Sequence, residues 1–364
     1  MARPDLYLAV ARVPFLKARE RILLAEALGG AKDLCRLAAG DVESIIERSL
    51  AGKSWEPAAY LAMAERDAYL ASRGGISFAS YGAGNFPPLL RELSDPPAVL
   101  FFRGRLPDPE RPLVAVVGTR EPSSEGAMQS YEFGRDFGRC GVAVVSGLAR
   151  GIDAMAHRGN VEACAPSVGV LGSGLDQVFP ASNRTLARRM IDSGGALVGE
   201  YPPGEPPRKW NFPARNRIIA GLARSVVVIE APAKSGALIT ADFALEQGRD
   251  LWVGSAGSAS RLGEGTLRLA GEGASIAEDA YAIVKDWGFP IPPREADRRI
   301  DPNGVDGQSS LKTALASLEK QLGFPDTAIA LYSTPRSDPC RDPSIVLPFV
   351  PSSIPDAKLM GGAR

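Results

Sequence analysis

The chain has 364 residues, 45% hydrophobic and 23% charged, and at ~150 residues per domain this allows two or three ordinary globular domains. Basic and acidic side chains number 42 each, so the net charge is zero and binding of polyanions through bulk charge is excluded. No stretch of ~18 apolar residues predicts a membrane span and no secretory signal pattern opens the sequence, so we expect a cytoplasmic protein without a membrane partner.

Residues 1–75 are expected to form a small helical domain of the SAM or helix-hairpin kind. Apolar residues recur there at helical spacing, and the pairs Gly29-Gly30 and Gly74-Gly75 follow two of these runs as helix stop signals. Residues 76–112 are rich in proline and glycine and contain one short apolar run. We therefore predict that they form a connector.

Residues 113–288 alternate short aliphatic runs with helical segments of ~10 to 16 residues. Strands that are covered on both faces have such runs, and their alternation with helices predicts a doubly wound parallel sheet with right-handed crossovers. The predicted fold is therefore α/β and Rossmann-like. The expected strands are Leu113–Val117, Val142–Val145, Val168–Leu171, Ala196–Gly199, Val226–Glu230 and Leu251–Val253.

The last segment, 289–364, is rich in proline, and only Ser309–Leu322 has helical spacing. Proline removes the backbone donors that helices and sheets need. We therefore expect a linker or loosely attached tail, with no clear winged helix.

Four glycine-containing loops are expected at one edge of the sheet. In open parallel sheets, ligands bind at the carboxyl ends of the strands, where helix N-termini attract anions. A single glycine loop is more often a simple tight turn. Four loops that each carry serine, threonine or a cation favour phosphate binding, and they span residues 118–120, 146–153, 172–176 and 234–240.

The densest basic stretch is 208–217, in which Trp210 and Phe212 are interleaved with cations. Residues 205–234 include six basic side chains and two acidic ones, which gives a local charge of +4 in a neutral chain. Cations for phosphates and rings for unpaired bases are typical of single-strand binding. The alternative is that the rings of Trp210 and Phe212 pack against the edge of the sheet and the arginines form a solvated helix face.

Catalytic and cofactor signals are weak. His157 is the only histidine, and although Asp153 lies one helical turn before it, no serine in a nucleophile elbow completes a triad. Gly172-x-Gly174 lacks the rest of a dinucleotide fingerprint, and no C-x-x-C pair suggests a metal site. We expect no cofactor and no enzymatic activity.

Taken together, the ordered motifs from residue 80 to about 275 resemble the DNA-processing protein A family, DprA or Smf. The motifs are Val117-Gly118-Thr119-Arg120, then Ser146 to Asp153 with Ala156-His157, Leu171 to Pro180 with Asn183, Glu200 to Gly204, Asn211 to Leu222, and Glu230 to Arg249. The helical N-terminus also resembles the small N-terminal domain of that family. Many members end in a winged helix, which the tail of this chain does not resemble.

The resemblance implies an extended Rossmann fold in a bacterial protein that binds and protects incoming single-stranded DNA, forms a homodimer and loads the RecA recombinase during natural transformation. It implies that Phe179 and Phe212 stack on bases. The cations expected along the DNA are Arg120, Arg150, Arg184, Arg215, Arg217 and Lys234. The expected backbone, hydroxyl or amide contacts are Gly118, Thr119, Ser146, Gly147, Asn216, Ser235 and Gly236.

Two other functions stay open. Rossmann-like hydrolases that release the base from nucleoside monophosphates share this sheet and carry a catalytic carboxylate in a glycine-rich segment. The corresponding stretch here, Lys234–Thr240, lacks the Pro-Gly-Gly of that segment, and Glu246 lies further on. The chain also fits a plain dimeric interaction module.

Overall fold

The computed structural model describes residues 5–291, and its centre is a nine-stranded sheet with the order β1-β2-β6-β5-β4-β3-β7-β8-β9. Neighbours from β6 through β9 are parallel, whereas β2 runs antiparallel to both β1 and β6. The strands are β1 (Ser77–Ser80), β2 (Val99–Gly104), β3 (Leu113–Val117), β4 (Ala143–Ser146), β5 (Val168–Val170), β6 (Ala196–Gly199), β7 (Ser225–Val228), β8 (Asp250–Gly254) and β9 (Ser275–Ala277).

All six predicted strands are present, with ends shifted by no more than two residues, and the predicted doubly wound α/β fold is confirmed. Every residue of β3, β4 and β7 is buried, because helices cover both faces of the sheet. The helices are α1 (Leu6–Ala11), α2 (Ala18–Glu26), α3 (Ala39–Ile46), α4 (Pro57–Arg73), α5 (Pro88–Arg91), α6 (Ser124–Arg139), α7 (Ile152–Glu162), α8 (Arg184–Asp192), α9 (Asn211–Leu222), α10 (Gly236–Glu246), α11 (Ser255–Ala259), α12 (Glu264–Gly271) and α13 (Ala280–Asp286).

The two faces of the sheet have separate apolar cores. Helices α6, α7 and α13 pack on the face that carries Val114 and Val116, and helices α5, α9 and α10 pack on the face that carries Ala115 and Val117. The chain leaves β3 toward α6 on one face and leaves β7 toward α10 on the other. Because β3 and β7 are neighbours, their loops diverge and open a crevice at the carboxyl edge of the sheet, where ligands bind in folds of this kind.

The N-terminal helices share a core with the sheet. Leu8, Leu24 and Tyr60 from these helices cluster with Phe101 of β2 and Leu197 of β6. The described residues up to Phe289 belong to one compact unit. The segment 76–112, which the sequence predicts as a connector, instead contributes β1 and β2 to the sheet. Its one apolar run lies in β2, which pairs with β6 on one side and with β1 on the other.

The tail predicted for 289–364, with its single helix, lies almost entirely outside the described residues. Within the described part of the chain, no helix has the length and hydrophobicity that a bilayer crossing requires.

Helices α6 and α7 touch through glycines. A Cβ added to Gly134 of α6 would overlap the carbonyl oxygen of Ala156 in α7, and one added to Gly159 of α7 would overlap that of Tyr131 in α6. Backbone atoms cannot move aside as a flexible side chain does. The two helices therefore depend on glycine for their close approach.

We expect Gly134→Ala to lower the free energy of unfolding by ~1–3 kcal/mol, because overpacking at this contact outweighs the gain in helix propensity. Gly271→Ala in α12 is the matched control, since a Cβ at Gly271 meets no atom within 4 Å. Urea unfolding of both variants measures the difference, and equal stability of the two would contradict the packing argument.

Candidate nucleic-acid interface

The loop after β3 carries Arg120 to the surface at the crevice. Gly118 is closely packed, since a Cβ there would lie 2.8 Å from the carbonyl oxygen of Glu230. The Thr119 amide donates to that oxygen at 2.7 Å, and the Ser123 amide donates to Glu230 Oε2 at 2.7 Å. Glu230 thus holds the start of the loop with its backbone oxygen and the end of the loop with its carboxylate. The exposed Arg120 lies between these two points and has no carboxylate partner within the described range 5–291.

The loop after β4 is held by its own polar groups. The buried Ser146 hydroxyl donates to the carbonyl oxygen of Val116 at 2.6 Å, and the Gly147 amide donates to Asp153 Oδ2 at 3.1 Å. These bonds correct the sequence prediction, because Ser146 and Gly147 shape the loop and offer no free donor to DNA. The exposed cation of this loop is Arg150.

The loop after β5 is joined to the loop after β4 by one side chain. The Asn183 amide nitrogen donates to the carbonyl oxygens of Leu148 at 2.9 Å and Ala149 at 3.1 Å. Arg184 follows as the exposed first residue of α8. The bridge therefore brings the segments that carry Arg150 and Arg184 together.

Phe179 and Phe212 form a ring pair on this edge. Their centroids lie 5.8 Å apart with planes tilted by 42°, and the Arg120 guanidinium carbon lies 5.9 Å from the centroid of Phe212. Phe179 is 47% exposed, so its ring is accessible to a ligand. A guanidinium above a ring pair is an arrangement that accepts both a phosphate and an unstacked base.

Arg215 is buried beneath the carboxyl edge of the sheet and is 6% exposed. Its Nη1 donates to the carbonyl oxygen of Gly147 at 3.0 Å and also to that of Val170. Burial lowers the pKa of Arg215 to about 10, and the nearby Asp153 opposes this shift. The guanidinium stays charged at neutral pH and ties α9 to two strand ends.

Arg217 is a structural arginine, which corrects the sequence prediction that it contacts DNA. Its Nη2 donates to both carboxylate oxygens of Glu200 at 2.9 and 2.8 Å, and its Nε donates to Asp95 Oδ2 at 2.9 Å. The side chain is 8% exposed. Carboxylates occupy the fork that a phosphate would need.

Polar groups in and around the loop after β7 also form hydrogen bonds within the protein. The Asn216 amide nitrogen donates to the carbonyl oxygen of Gly236 at 3.1 Å, and its oxygen accepts from Arg215 Nε at 3.3 Å. Ser235 caps α10 by accepting from the Ala237 amide at 3.2 Å. Asn216 and Ser235 thus position this loop, and its exposed cation is Lys234.

Six of the predicted side chains are cations or aromatic rings that a ligand can reach, and we name them the carboxyl-edge surface. All are on loops or first helical turns at the carboxyl ends of the parallel strands, and four are cations without a carboxylate partner in the described part of the chain. Sequence reasoning did not identify Glu230 as the residue that holds the first loop, because nothing local marks a glutamate at the end of an apolar run. The six are Arg120, Arg150, Phe179, Arg184, Phe212 and Lys234.

The single histidine is buried away from this surface. His157 is fully buried, and its Nδ1 lies 2.7 Å from the hydroxyl oxygen of Ser167, which is also fully buried. Burial, assisted by the charge of Arg215, lowers the pKa of His157 to about 3. The neutral imidazole has no access to solvent. It forms part of the buried core and does not form a triad with Ser146.

We expect the buried His157 to make stability depend on pH. Its folded pKa of about 3 lies below the ordinary 6.5, so the unfolded chain binds the proton first and stability falls as the pH drops below 6.5 toward 3. His157→Asn should remove ~1 kcal/mol of this loss between pH 6 and pH 5. The raised pKa of Asp153 acts in the opposite direction in both proteins and cancels in the comparison.

Urea unfolding of wild type and His157→Asn at pH 5, 6 and 7 provides the test. Parallel stability curves for the two proteins would show that His157 does not titrate on unfolding and would overturn its placement in the core.

Comparison with known proteins identifies relatives of this chain. A family model described as DNA recombination-mediator protein A matches residues 77–288, more than half of the chain. The DNA processing protein DprA of Streptococcus pneumoniae is 39% identical over 204 residues, which covers 56% of this chain and 72% of that protein. Protein Smf of Synechocystis is 40% identical over 223 residues, covering 60% of this chain and 56% of that protein. This match spans about half the length of that relative.

Two solved structures have the same fold. The X-ray structure of DprA from Streptococcus pneumoniae superposes with a TM-score of 0.63 and 31% identity, covering 78% of this chain and 97% of that one. DNA processing protein A from Helicobacter pylori superposes with a TM-score of 0.51 and 26% identity, covering 59% and 97%. The latter structure was determined to describe the single-stranded DNA binding mode of that protein.

Proposed function

Because the chain belongs to the DNA recombination-mediator protein A family, we propose that it binds single-stranded DNA at the carboxyl-edge surface. The observation that carries this proposal is the exposed Arg120 guanidinium over the Phe212 ring, with Phe179 beside it. Phosphates of a single strand meet the cations while its unpaired bases stack on the rings. A duplex keeps its bases stacked inside and gains only the charge contacts.

The proposal extends to the partners of the DNA. The bound strand is protected by the protein and passed to the RecA recombinase, and the binding unit is a homodimer that presents two carboxyl-edge surfaces to one strand. The description of the matched family as a recombination mediator supports a role beside a recombinase. Stimulated assembly of RecA on a strand coated with single-strand-binding protein tests the loading step. No stimulation by wild type would remove RecA loading from the proposal while leaving DNA binding in place.

The protein acts without catalysis. The Lys234–Thr240 loop has no carboxylate, and Glu246 lies at the opposite end of α10, ~15 Å from the edge where a ligand binds. A hydrolase that releases bases from nucleotides needs its carboxylate at the ligand. Release of free base from nucleoside monophosphates by the purified protein would favour the hydrolase alternative.

Binding of a ~30-nucleotide strand and of its duplex, measured by fluorescence anisotropy across a salt series, tests the central proposal. We expect the single strand to bind at least tenfold more tightly, with affinity falling as salt rises. Equal affinity for the two DNA forms would contradict the proposed role of the rings.

A further inference from the structure

Helix α8 begins at the carboxyl edge of the sheet and presents a basic face to solvent. Its apolar residues Leu186, Ala187 and Met190 are buried in the core that the N-terminal helices share with the sheet. The residues between them are exposed, at a spacing that places them together on the opposite face of the helix. We name the three cations among them the α8 basic face, and they are Arg184, Arg188 and Arg189.

The cations of the α8 basic face have no ion-pair partner in the described part of the chain. Asp192 follows Arg188 at a spacing of four residues, yet the two side chains form no ion pair. The same spacing does give a pair at α12, where Arg268 Nε lies 3.5 Å from Glu272 Oε1. The charge of the α8 basic face is therefore available to an external anion.

The order of charges along α8 opposes the stability of the helix. Arg184 is its first residue, where the positive end of the helix dipole repels a cation, and Asp192 is its last, where the negative end repels a carboxylate. Arg184 and Arg188 lie one turn apart and repel each other. Stability alone favours the reverse order, so the cations at the start of α8 point to an anionic ligand that offsets this repulsion.

The composition of α8 favours a polyanion over a protein partner. None of the large apolar side chains that are exposed in residues 5–291 lies on this helix. The core of a protein–protein interface is apolar and rich in aromatic residues, whereas the backbone of a nucleic acid is bound through cations. The α8 basic face is therefore complementary to a chain of phosphates.

The α8 basic face is continuous with the carboxyl-edge surface. Arg184 belongs to both, and the amide nitrogen of the preceding Asn183 donates to the backbone just before Arg150, at 2.9 and 3.1 Å. Arg188 lies one turn further along α8, ~6 Å from Arg184 in the direction of the helix axis. A strand that leaves the aromatic rings past Arg150 meets Arg184 and then Arg188.

We propose that the α8 basic face binds the phosphate backbone of the single strand next to the part whose bases stack at the carboxyl-edge surface. This inference rests on the proposed binding of single-stranded DNA and extends the contacts of the strand to Arg188 and Arg189. The extension ends at Asp192, whose carboxylate repels phosphate. It adds charge contacts and no base contact, so it strengthens binding without regard to sequence.

Arg188→Gln tests the contact, with binding of a ~30-nucleotide single strand measured across a salt series. We expect affinity to fall threefold or more and the slope of log affinity against log salt to become shallower by ~0.7. Arg188→Lys keeps the charge and should keep the slope of wild type. Arg66→Gln in α4 is the matched control, since Arg66 is also an exposed helical arginine without an ion pair in the described residues. Equal effects of Arg188→Gln and Arg66→Gln would overturn the proposal.

Asp192→Lys is a second variant, and it is expected to increase affinity, a result that loss of folding cannot produce. The lysine extends the α8 basic face by one turn, so the single strand should bind at least threefold more tightly with a steeper salt slope. Asp286→Lys is its control, because Asp286 is likewise the exposed last residue of a helix, α13, and makes the same change in net charge. An equal gain in both variants would place the strand away from α8 and overturn the proposal.

The outcomes separate this inference from the function on which it rests. If wild type prefers single strands to duplex but Arg188→Gln and Asp192→Lys behave as their controls do, the extension along α8 fails and DNA binding at the carboxyl-edge surface stands. If wild type shows no preference for single strands, both proposals fail.

Discussion

Single-stranded DNA affinity is expected to fall by ~1–3 kcal/mol when Arg120 is replaced by alanine. The guanidinium is exposed, has no carboxylate partner among residues 5–291, and lies over the Phe212 ring. Without the contact between Arg120 and a phosphate, binding releases fewer counterions from the DNA. The slope of log affinity against log salt should therefore become shallower by ~0.7. Removal of Arg120 leaves the Glu230 bonds that hold its loop intact.

Arg120→Lys is the matched control, because lysine keeps the charge and loses the planar group that stacks on Phe212. We expect this variant to keep the salt slope of wild type with a smaller loss of affinity. Circular dichroism of both variants checks the fold. A salt slope that is unchanged in Arg120→Ala would remove this residue from the DNA contacts.

Phe212→Ala is expected to weaken single-strand binding by ~1–3 kcal/mol with no change in the salt slope. The ring contributes stacking area and no charge, so its loss should act equally at low and high salt. It also supports Arg120 and pairs with Phe179 at 5.8 Å, which makes it the central ring of the surface. Duplex binding should change little, because paired bases are not available to stack on it.

Phe212→Tyr preserves the ring and should bind nearly as wild type does. Phe212 approaches Gly172 closely, where an added Cβ would lie 3.1 Å from Phe212 Cδ1, so thermal unfolding of Phe212→Ala must show that the loop after β5 is intact. An equal loss of single-strand and duplex affinity would show that the ring supports the fold and does not stack on bases.

The strands at the centre of the sheet were predictable because they are continuous aliphatic runs between helical segments. β1, at the edge of the sheet, and β2, beside it, were not, since Ser77–Ser80 is short and mixed in character and Val99–Gly104 stands alone in a segment rich in proline and glycine. β1 is assigned by its pairing with β2, and β2 by its pairing with β6, whose residues lie nearly a hundred positions later. Local pattern carries no information about a partner at that distance.

The same limit explains which site residues were misassigned. Arg120, Arg150, Arg184 and Lys234 are exposed, as the sequence led us to expect of cations on loops with few competing partners, and their contact with DNA stays a prediction. Arg217 could not, because one of its partners, Asp95, lies 122 residues earlier in the chain. The small polar residues of the loops have the composition of an anion site, but their donors are used to hold neighbouring backbone, which only the folded geometry reveals.

The proposed binding of single-stranded DNA is tested most directly by the position of the DNA on the protein. A single strand that contains 5-iododeoxyuridine, irradiated in complex with the full chain and analysed by mass spectrometry of the peptides, maps its contacts at residue level. We expect adducts on Phe179 and Phe212, and their loss when unlabelled single strand competes. Adducts confined to α6, α7 and α13, on one face of the sheet, would contradict the proposed position of the DNA.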